Sequence, residues 1–568
     1  MKMQAVRGGR DPLLNSLVMA CLLAMASLAQ AQTAPDAGSL LRDSRQQPPQ
    51  IPQLPKITEP KLLSDSGIKV TVRRFEVSGS TRFDNAQLAA RLADLVGQDL
   101  GFAQLQAAAD RLAALYRDNG LHATALLPEQ TLTDGLVRIV IVEGRFGELK
   151  MDNATPVTRR QPTALLQRML EAGQTAGEVI DTRALERAAL IANELPGLRV
   201  STILASGARP GESDVIAKVD ERPLLAGAVT LDNHDARASG STRLGVTATL
   251  GNPFGFGDDF QGGASANEGK AYLRAAYGLP LGASGLRVAV NASAMRYKLV
   301  GEFESSGGKG SANTAGAVVS YPLLRSVAAN LSTTATVDHQ QLKSDSIAGR
   351  LSDKLVDTLT LGVNGDSTDA LGGGGALLAG VQVSSGRLDL AGNAADLAAD
   401  QAGSARNGRF MKLNANIGRL QRLTDSGNLW FSVSGQYADK NLDSSQKLSL
   451  GGASGVRAYP SLEGSGDHGW LATVEYRHHL NDAVQFTAFY DHGQVTREHA
   501  PLATAARPNT FALKGAGVGM EWQIAQFASV RAVVANRIGS NPAAGPGGND
   551  SDGTKRRPQV WLSASLAF

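Results

Sequence analysis

Hydrophobic positions change their period twice along the chain. From Val70 to about residue 221, apolar residues at helical spacing alternate with short runs of period two. Residues 72–77 predict a strand ending at Ser78-Gly79-Ser80, and Asp84 is placed to cap a helix carrying Leu88, Leu92 and Leu95. A second helix sets Leu105, Ala108, Ala109, Leu112, Leu115 and Tyr116 on one face and stops at Asn119-Gly120. Strands follow at 123–127 and 136–142, giving the order β-α-α-β-β. The same order then recurs: a strand at 146–151, helices at 163–171 and 182–194, and strands at 199–204 and 214–219.

After Pro223 the helical spacing disappears, and short alternating runs separated by Gly, Asn, Asp and Ser take over. Leu429, Phe431, Val433, Gly435 and Tyr437 share one face, opposite Trp430, Ser432, Ser434 and Gln436. Trp470, Ala472, Val474 and Tyr476 oppose Leu471, Thr473, Glu475 and Arg477. An apolar row bordered by aromatics on one face and charges on the other suits a strand between lipid and a wet lumen. At about 10 residues per strand plus turns, the segment has room for roughly 14 to 18 strands. Closure is required, because an unpaired backbone group in hydrocarbon costs several kcal/mol.

Composition sharpens this division. Of the 63 glycines, 16 lie in residues 1–223 and the remaining 47 follow. Lys2, Arg7 and Arg10 precede the largely apolar stretch 13–28 and the small-residue site Ala29-Gln30-Ala31, so residues 1–31 read as a cleaved secretory signal. Cys21, the one cysteine, lies within it; the box around it only loosely resembles a lipoprotein site. The mature chain has no disulfide and must gain stability from a large core or a membrane. No later run of about 18 apolar residues exists, so spanning helices are excluded. A net charge of +3 gives no reason to expect nucleic-acid binding. Prolines at 35, 48, 49, 52, 55 and 60 mark a linker, within which residues 36–47 predict a short helix. At about 12 residues, such a helix needs a cavity to hold it.

Several motifs carry a family resemblance. Residues 68–145 resemble a POTRA (polypeptide-transport-associated) domain, with Phe75–Ser80 (FEVSGS), the Gly120-Leu121 turn, Leu126–Gln130 (LLPEQ) and Val142–Gly144 (VEG). Residues 146–221 resemble a second one, ending in the stretch from Glu194 to Val215. Leu231-Asp232-Asn233, Gly245 and the segment Asn252–Asp258 (NPFGFGD) resemble the opening hairpin of two-partner secretion transporters, the haemolysin secretion/activation family. Leu450-Gly451-Gly452 with Val456, Arg457, Ala458 and Tyr459 is similar to that family's VRGY loop, and Phe489, Asp491 and Gly493 to its F-x-D-x-G wall motif. The C-terminal strand, ending at Phe568, resembles the assembly signal of outer-membrane barrels.

The expected organisation is a signal at 1–31, a plug helix and linker at 32–67, POTRA domains at 68–145 and 146–221, and a membrane β-barrel of about 16 antiparallel strands at 222–568. The resemblance implies that the VRGY loop folds into the lumen, where Asp491 would hold Arg457 by charge-assisted hydrogen bonds. Ala458 stands where the family has Gly, so the loop tip there is shaped differently or right-handed. Residues 36–47 resemble the family's plug helix. The implied function is an outer-membrane pore, its POTRA domains in the periplasm, that exports a large adhesin- or haemolysin-like exoprotein. Its expected partners are that exoprotein, outer-membrane lipid and the barrel-assembly machinery. No G-x-S-x-G elbow, H-E-x-x-H helix or Walker loop is present, and no enzyme, metal or cofactor is expected. Two rivals remain: a barrel-assembly factor, which usually carries more POTRA domains, and a passive porin, against which the POTRA pair argues.

Overall fold

Alternation after Pro223 closes into a barrel. Sixteen antiparallel strands, from Leu225–Asp232 to Gln559–Ala567, pair in sequence, and the last pairs back onto the first. The computed structural model describes residues 34–46, 69–130, 134–152, 162–501, 508–545 and 547–568. The expected signal and the prolines from 48 to 60 lie outside them. Leu429, Phe431 and Tyr437 face outward, while Trp430 and Gln436 are buried inward. The seam is short, with register pairs from Ser563 to Ala567. Asn233 extends it, donating to the Val560 carbonyl (3.0 Å) and accepting from the Leu562 amide (2.8 Å). At the other end, Phe568 exchanges two backbone hydrogen bonds with Gly227, both 2.9 Å.

Two α/β units precede the barrel, and their sheets have the same plan. In the first, Arg74–Ser78 runs parallel to Leu136–Glu143, which pairs antiparallel with Ala123–Leu126. In the second, Arg145–Asp152 runs parallel to Glu212–Glu221, which pairs antiparallel with Leu198–Ser206. The strand expected at 72–77 is divided: Val72 turns its side chain into the core, and the chain before it, Lys69–Thr71, pairs with Asp99–Gly101 instead. Asp84 caps Asn85–Ala90 as expected, by accepting from the Gln87 amide. The helix expected at 182–194 spans Thr182–Ala192. A helix that the alternating pattern does not predict, Ala394–Ala402, lies between two barrel strands, and its cap Asn393 accepts from the amides of Ala395 and Asp396.

The units share their boundary. Backbone bonds join His122 to Ile180 (3.1 Å), Ile180 to Gly144 (2.9 Å) and Thr182 to Gly120 (2.8 Å). The second unit rests on the barrel's turns: Arg187 donates to the Pro322 carbonyl (2.6 Å), Glu186 accepts from the Val327 amide (2.7 Å), and Glu194 pairs with Arg325 (2.8 Å). That end of the barrel is therefore the one facing the α/β units.

Glu143 explains why the VEG and FEVSGS segments belong together. Val137, Ile139, Ile141 and Glu143 point into the first unit's core, so the row ends on a buried carboxylate. It accepts from the Thr81 amide (2.7 Å) and hydroxyl (2.5 Å), the Arg82 amide (3.1 Å) and the Tyr116 hydroxyl (2.8 Å). Burial pushes its pKa up, but these hydrogen bonds outweigh burial and hold it below the ordinary 4.5. Burial and the Glu143 charge push the Tyr116 hydroxyl up to about 12, though its bond from Ser80 acts the other way.

The folded Glu143 carboxyl binds protons more weakly than the unfolded one. Its contribution is thus present above the unfolded pKa and lost as pH falls through the folded pKa. We predict that Glu143→Gln weakens the turn at 80–83 by about 1–3 kcal/mol near neutral pH. In amide hydrogen exchange of the full chain, Thr81 and Arg82 should lose protection at about pH 7, and the difference from wild type should shrink as pH falls through the lowered pKa of the folded carboxyl. Equal protection at neutral pH would contradict this role.

Candidate functional site

Among the described residues, the lumen holds the helix Ala37–Arg45 and the connection between strands Gly427–Ala438 and His468–His479. The connection folds back on itself through the short pair Leu448–Ser449 and Ser465–Gly466. Its tip carries the VRGY-like segment, with Val456, Arg457, Ala458 and Tyr459 all buried.

Arg457 meets the wall as its motif implied. Phe489, Asp491 and Gly493 lie two apart on Val484–Thr496, so all three positions face the lumen. The Arg457 guanidinium grips Asp491 in a fork, Nε to Oδ2 at 2.9 Å and Nη2 to Oδ1 at 2.8 Å. Its own amide adds a third bond at 3.0 Å. The guanidinium carbon lies 3.3 Å from the centre of the Phe489 ring. Gly493 supplies room, since a Cβ there would stand 2.7 Å from the side chain of Leu450 in the loop hairpin.

Three further partners were not expected. Glu475 accepts from Arg457 Nη1 at 2.6 Å, and its other oxygen accepts from Arg477 at 2.8 Å. Trp561, on the closing strand, donates to the Arg457 carbonyl at 2.8 Å. Thr473 donates to Asp491 at 3.0 Å. The signal for Glu475 was available, because Glu475 and Arg477 are the charged pair on the polar face of an alternating strand. Desolvating these charges costs several kcal/mol per ion, which only a fully hydrogen-bonded arrangement offsets.

The glycine-to-alanine departure is accommodated without a left-handed residue: Ala458 is not among the positive-φ positions. Its methyl fills a gap over Gly515, where a Cβ would stand 2.4 Å away. Arg537 lies over the Tyr459 ring (4.5 Å) and donates to the Ala458 carbonyl (3.1 Å). Arg537 is itself forked onto Asp550. Phe568, the remaining candidate, lies apart from this cluster at the exposed seam.

The lumen helix is held differently. It occupies 37–45 of the expected 36–47, and Asp36 caps it by accepting from the Ser39 amide (2.9 Å). Asp36 also accepts from Lys354 on the wall (3.1 Å) and from Ser444 in the folded connection (2.7 Å). Lys354 is shared with Asp443 of that connection (2.8 Å). Arg42 donates to the carbonyls of Ser444 (2.6 Å) and Lys447 (3.0 Å), and Arg45 to the Thr314 hydroxyl (2.8 Å). Only Ala37, Leu40 and Leu41 enter an apolar cluster, with Met295, Tyr297, Leu342 and others on the wall.

The family model "Haemolysin secretion/activation protein ShlB/FhaC/HecB" matches residues 211–522, and the "POTRA domain, ShlB-type" model matches residues 70–144. The chain is 28% identical over 499 residues to the heme/hemopexin transporter protein HuxB of Haemophilus influenzae (strain 86-028NP), covering 85% of this chain and 84% of that one. It is 24% identical over 511 residues to the outer membrane transporter CdiB of Dickeya dadantii (strain 3937), covering 86% and 87%. The solved structure of CdiB from Escherichia coli has the same fold, with a TM-score of 0.66 at 20% identity over 99% of this chain and 100% of that one. BamA from Haemophilus ducreyi shares the fold more loosely, at a TM-score of 0.52. The chain belongs to the haemolysin secretion/activation family, the outer-membrane transporters of two-partner secretion.

Proposed function

We propose that this transporter exports one large exoprotein, captured unfolded in the periplasm and passed through the barrel after the lumen helix leaves. The division that serves this is a signal at 1–31, a plug and tether at 32–67, POTRA units at 68–145 and 146–221, and a pore at 222–568. The observation that carries the reading is the contrast between the two lumen segments. Val456–Tyr459 is fixed by a closed set of buried ionic contacts, whereas the helix is short, bound largely through polar groups, and joined to the first unit through proline-rich sequence. Its two buried leucines contribute about 1.5–3 kcal/mol each, a hold that a binding partner can overcome.

Capture fits an exposed sheet edge. Leu198–Ser206 is an edge strand of the second unit, with Ile203 61% exposed. An extended segment adding there would pair through its backbone, reading conformation more than sequence. The energy source we infer is folding of the exoprotein outside the cell. We read transport, with no chemical step and no cofactor, as the activity, consistent with the family. The barrel-assembly alternative shares only the fold, while the family match covers more than half of the chain.

Three outcomes are expected. Arg457→Ala leaves Asp491 and Glu475 without their main cation, at a cost of about 3–5 kcal/mol locally, and should abolish or strongly reduce export while the barrel stays heat-modifiable in the membrane. Arg457→Lys keeps the charge but loses the fork and should fall between. Unchanged export by Arg457→Ala would remove it from the mechanism. Deleting residues 36–47 should raise single-channel conductance in planar bilayers, and identical conductance would contradict a plug.

A further inference from the structure

The outer face of the barrel is not uniformly apolar. On the strand Gly408–Arg422, residues 409, 411, 413, 415, 417 and 419 all face lipid, as the outward exposure of Met411, Leu413 and Ile417 shows. Arg409 and Arg419 therefore bracket an apolar stretch on one face. Ten residues of strand tilted by about 40° span about 26 Å, the height of the apolar band of outer-membrane barrels. Each arginine thus stands at one headgroup level, Arg419 toward the α/β units and Arg409 at the cell exterior.

The two levels differ in how their cations are satisfied. Arg419 is forked onto Asp369 at 2.8 and 3.0 Å. At the outer level, Arg409 lies directly opposite Arg387 in register, and both are exposed. Neither guanidinium has a carboxylate partner among the described residues. Asp357 lies opposite Arg387 on its other side but is engaged with His339 (2.6 Å), while Asp389 accepts from the Ala391 amide (2.8 Å) and Asp439 from the Met411 amide (2.8 Å). Like charges directly opposed across strands are destabilising, unless an anion lies between them.

Beneath this pair the outer face is recessed. A shallow groove of about 730 Å³ runs from Arg387 and Arg409 past the His339–Asp357 pair to Ala315, Ala317 and Ser385, flanked by Val337 and Leu359. His339 and Asp357 satisfy one another, and the rest of the outer lining is small or apolar, so an acyl chain fits along it while an anionic group meets the guanidinium pair above.

We propose that Arg387, Arg409 and this groove form a binding site for a phosphorylated, multiply acylated glycolipid of the outer leaflet. One phosphate of the lipid A headgroup accepts from both guanidiniums, and an acyl chain lies in the groove. The lipid surface at the other headgroup level needs no such site, and there the protein supplies its own carboxylate.

The test uses the full chain purified in mild detergent, with thermal unfolding and native mass spectrometry as readouts. Diphosphorylated lipid A should bind and raise the unfolding temperature, whereas dephosphorylated lipid A and phosphatidylglycerol should do neither at the same concentration. The double variant Arg387→Gln, Arg409→Gln should weaken lipid A binding about tenfold or more, with heat-modifiability unchanged. Equal binding of dephosphorylated lipid A would reduce the site to an apolar groove, and equal binding of phosphatidylglycerol to a general anion site; either overturns the proposal. So would full retention of binding by the double variant. Should that variant fail to assemble, the three lipids compared on the wild-type chain decide the matter alone.

Discussion

A closed wall of sixteen strands encloses a lumen wider than its own side chains can fill, and the contact that organises the filling is the fork between Arg457 and Asp491. Around it the charges are shared out completely. Asp491 receives the loop amide, two guanidinium nitrogens and Thr473, while Glu475 takes the remaining guanidinium nitrogen and Arg477. Because Phe489 and Trp561 close over the same arginine, the strand that ends the chain and the strand that carries the motif meet at one residue. Removing either charge strands the other in a desolvated site, so the loop has one stable position.

The helix Ala37–Arg45 is built on the opposite principle. Nine residues do not sustain a helix alone, so this one owes its form to the lumen. Its ties run to both the wall and the folded connection, and Lys354 is the point where they converge, held between Asp36 of the helix and Asp443 of the connection. If the helix leaves as proposed, Lys354 keeps a carboxylate, that of Asp443. Departure therefore does not leave a bare buried cation, which would be far more costly than the loss of two leucine contacts.

Much of this was legible in the order of residues. Period-two alternation gave the wall its inside and outside, and the spacing of Phe489, Asp491 and Gly493 put all three on the inner face. The β-α-α-β-β order of both units was readable from helical spacing and the Asp84 cap. What stayed hidden depended on contacts distant in sequence. Nothing near Lys354 announces a partner 318 residues away at Asp36, and nothing near Gly515 announces the methyl of Ala458. The helix at 394–402 was missed because its short run of Ala and Asp between glycines resembles loop composition, although Asn393 was a usable cap signal. The strand at 72–77 was drawn too long because Val72 continues the apolar pattern while its backbone turns to follow a different partner.

Export as proposed depends on the helix occupying the lumen at rest and leaving it during transport. Ala37 and Ser344 of the wall are in contact, the Ala37 amide donating to the Ser344 hydroxyl at 3.2 Å. The only cysteine, Cys21, falls in the expected signal, so Ala37→Cys with Ser344→Cys gives the mature chain a single disulfide pair. The measurement is export of the exoprotein by this double variant before and after reduction. The disulfide should form, export should be blocked while it is intact, and reduction should restore it. Export at the wild-type rate through the oxidised, cross-linked pore would contradict this.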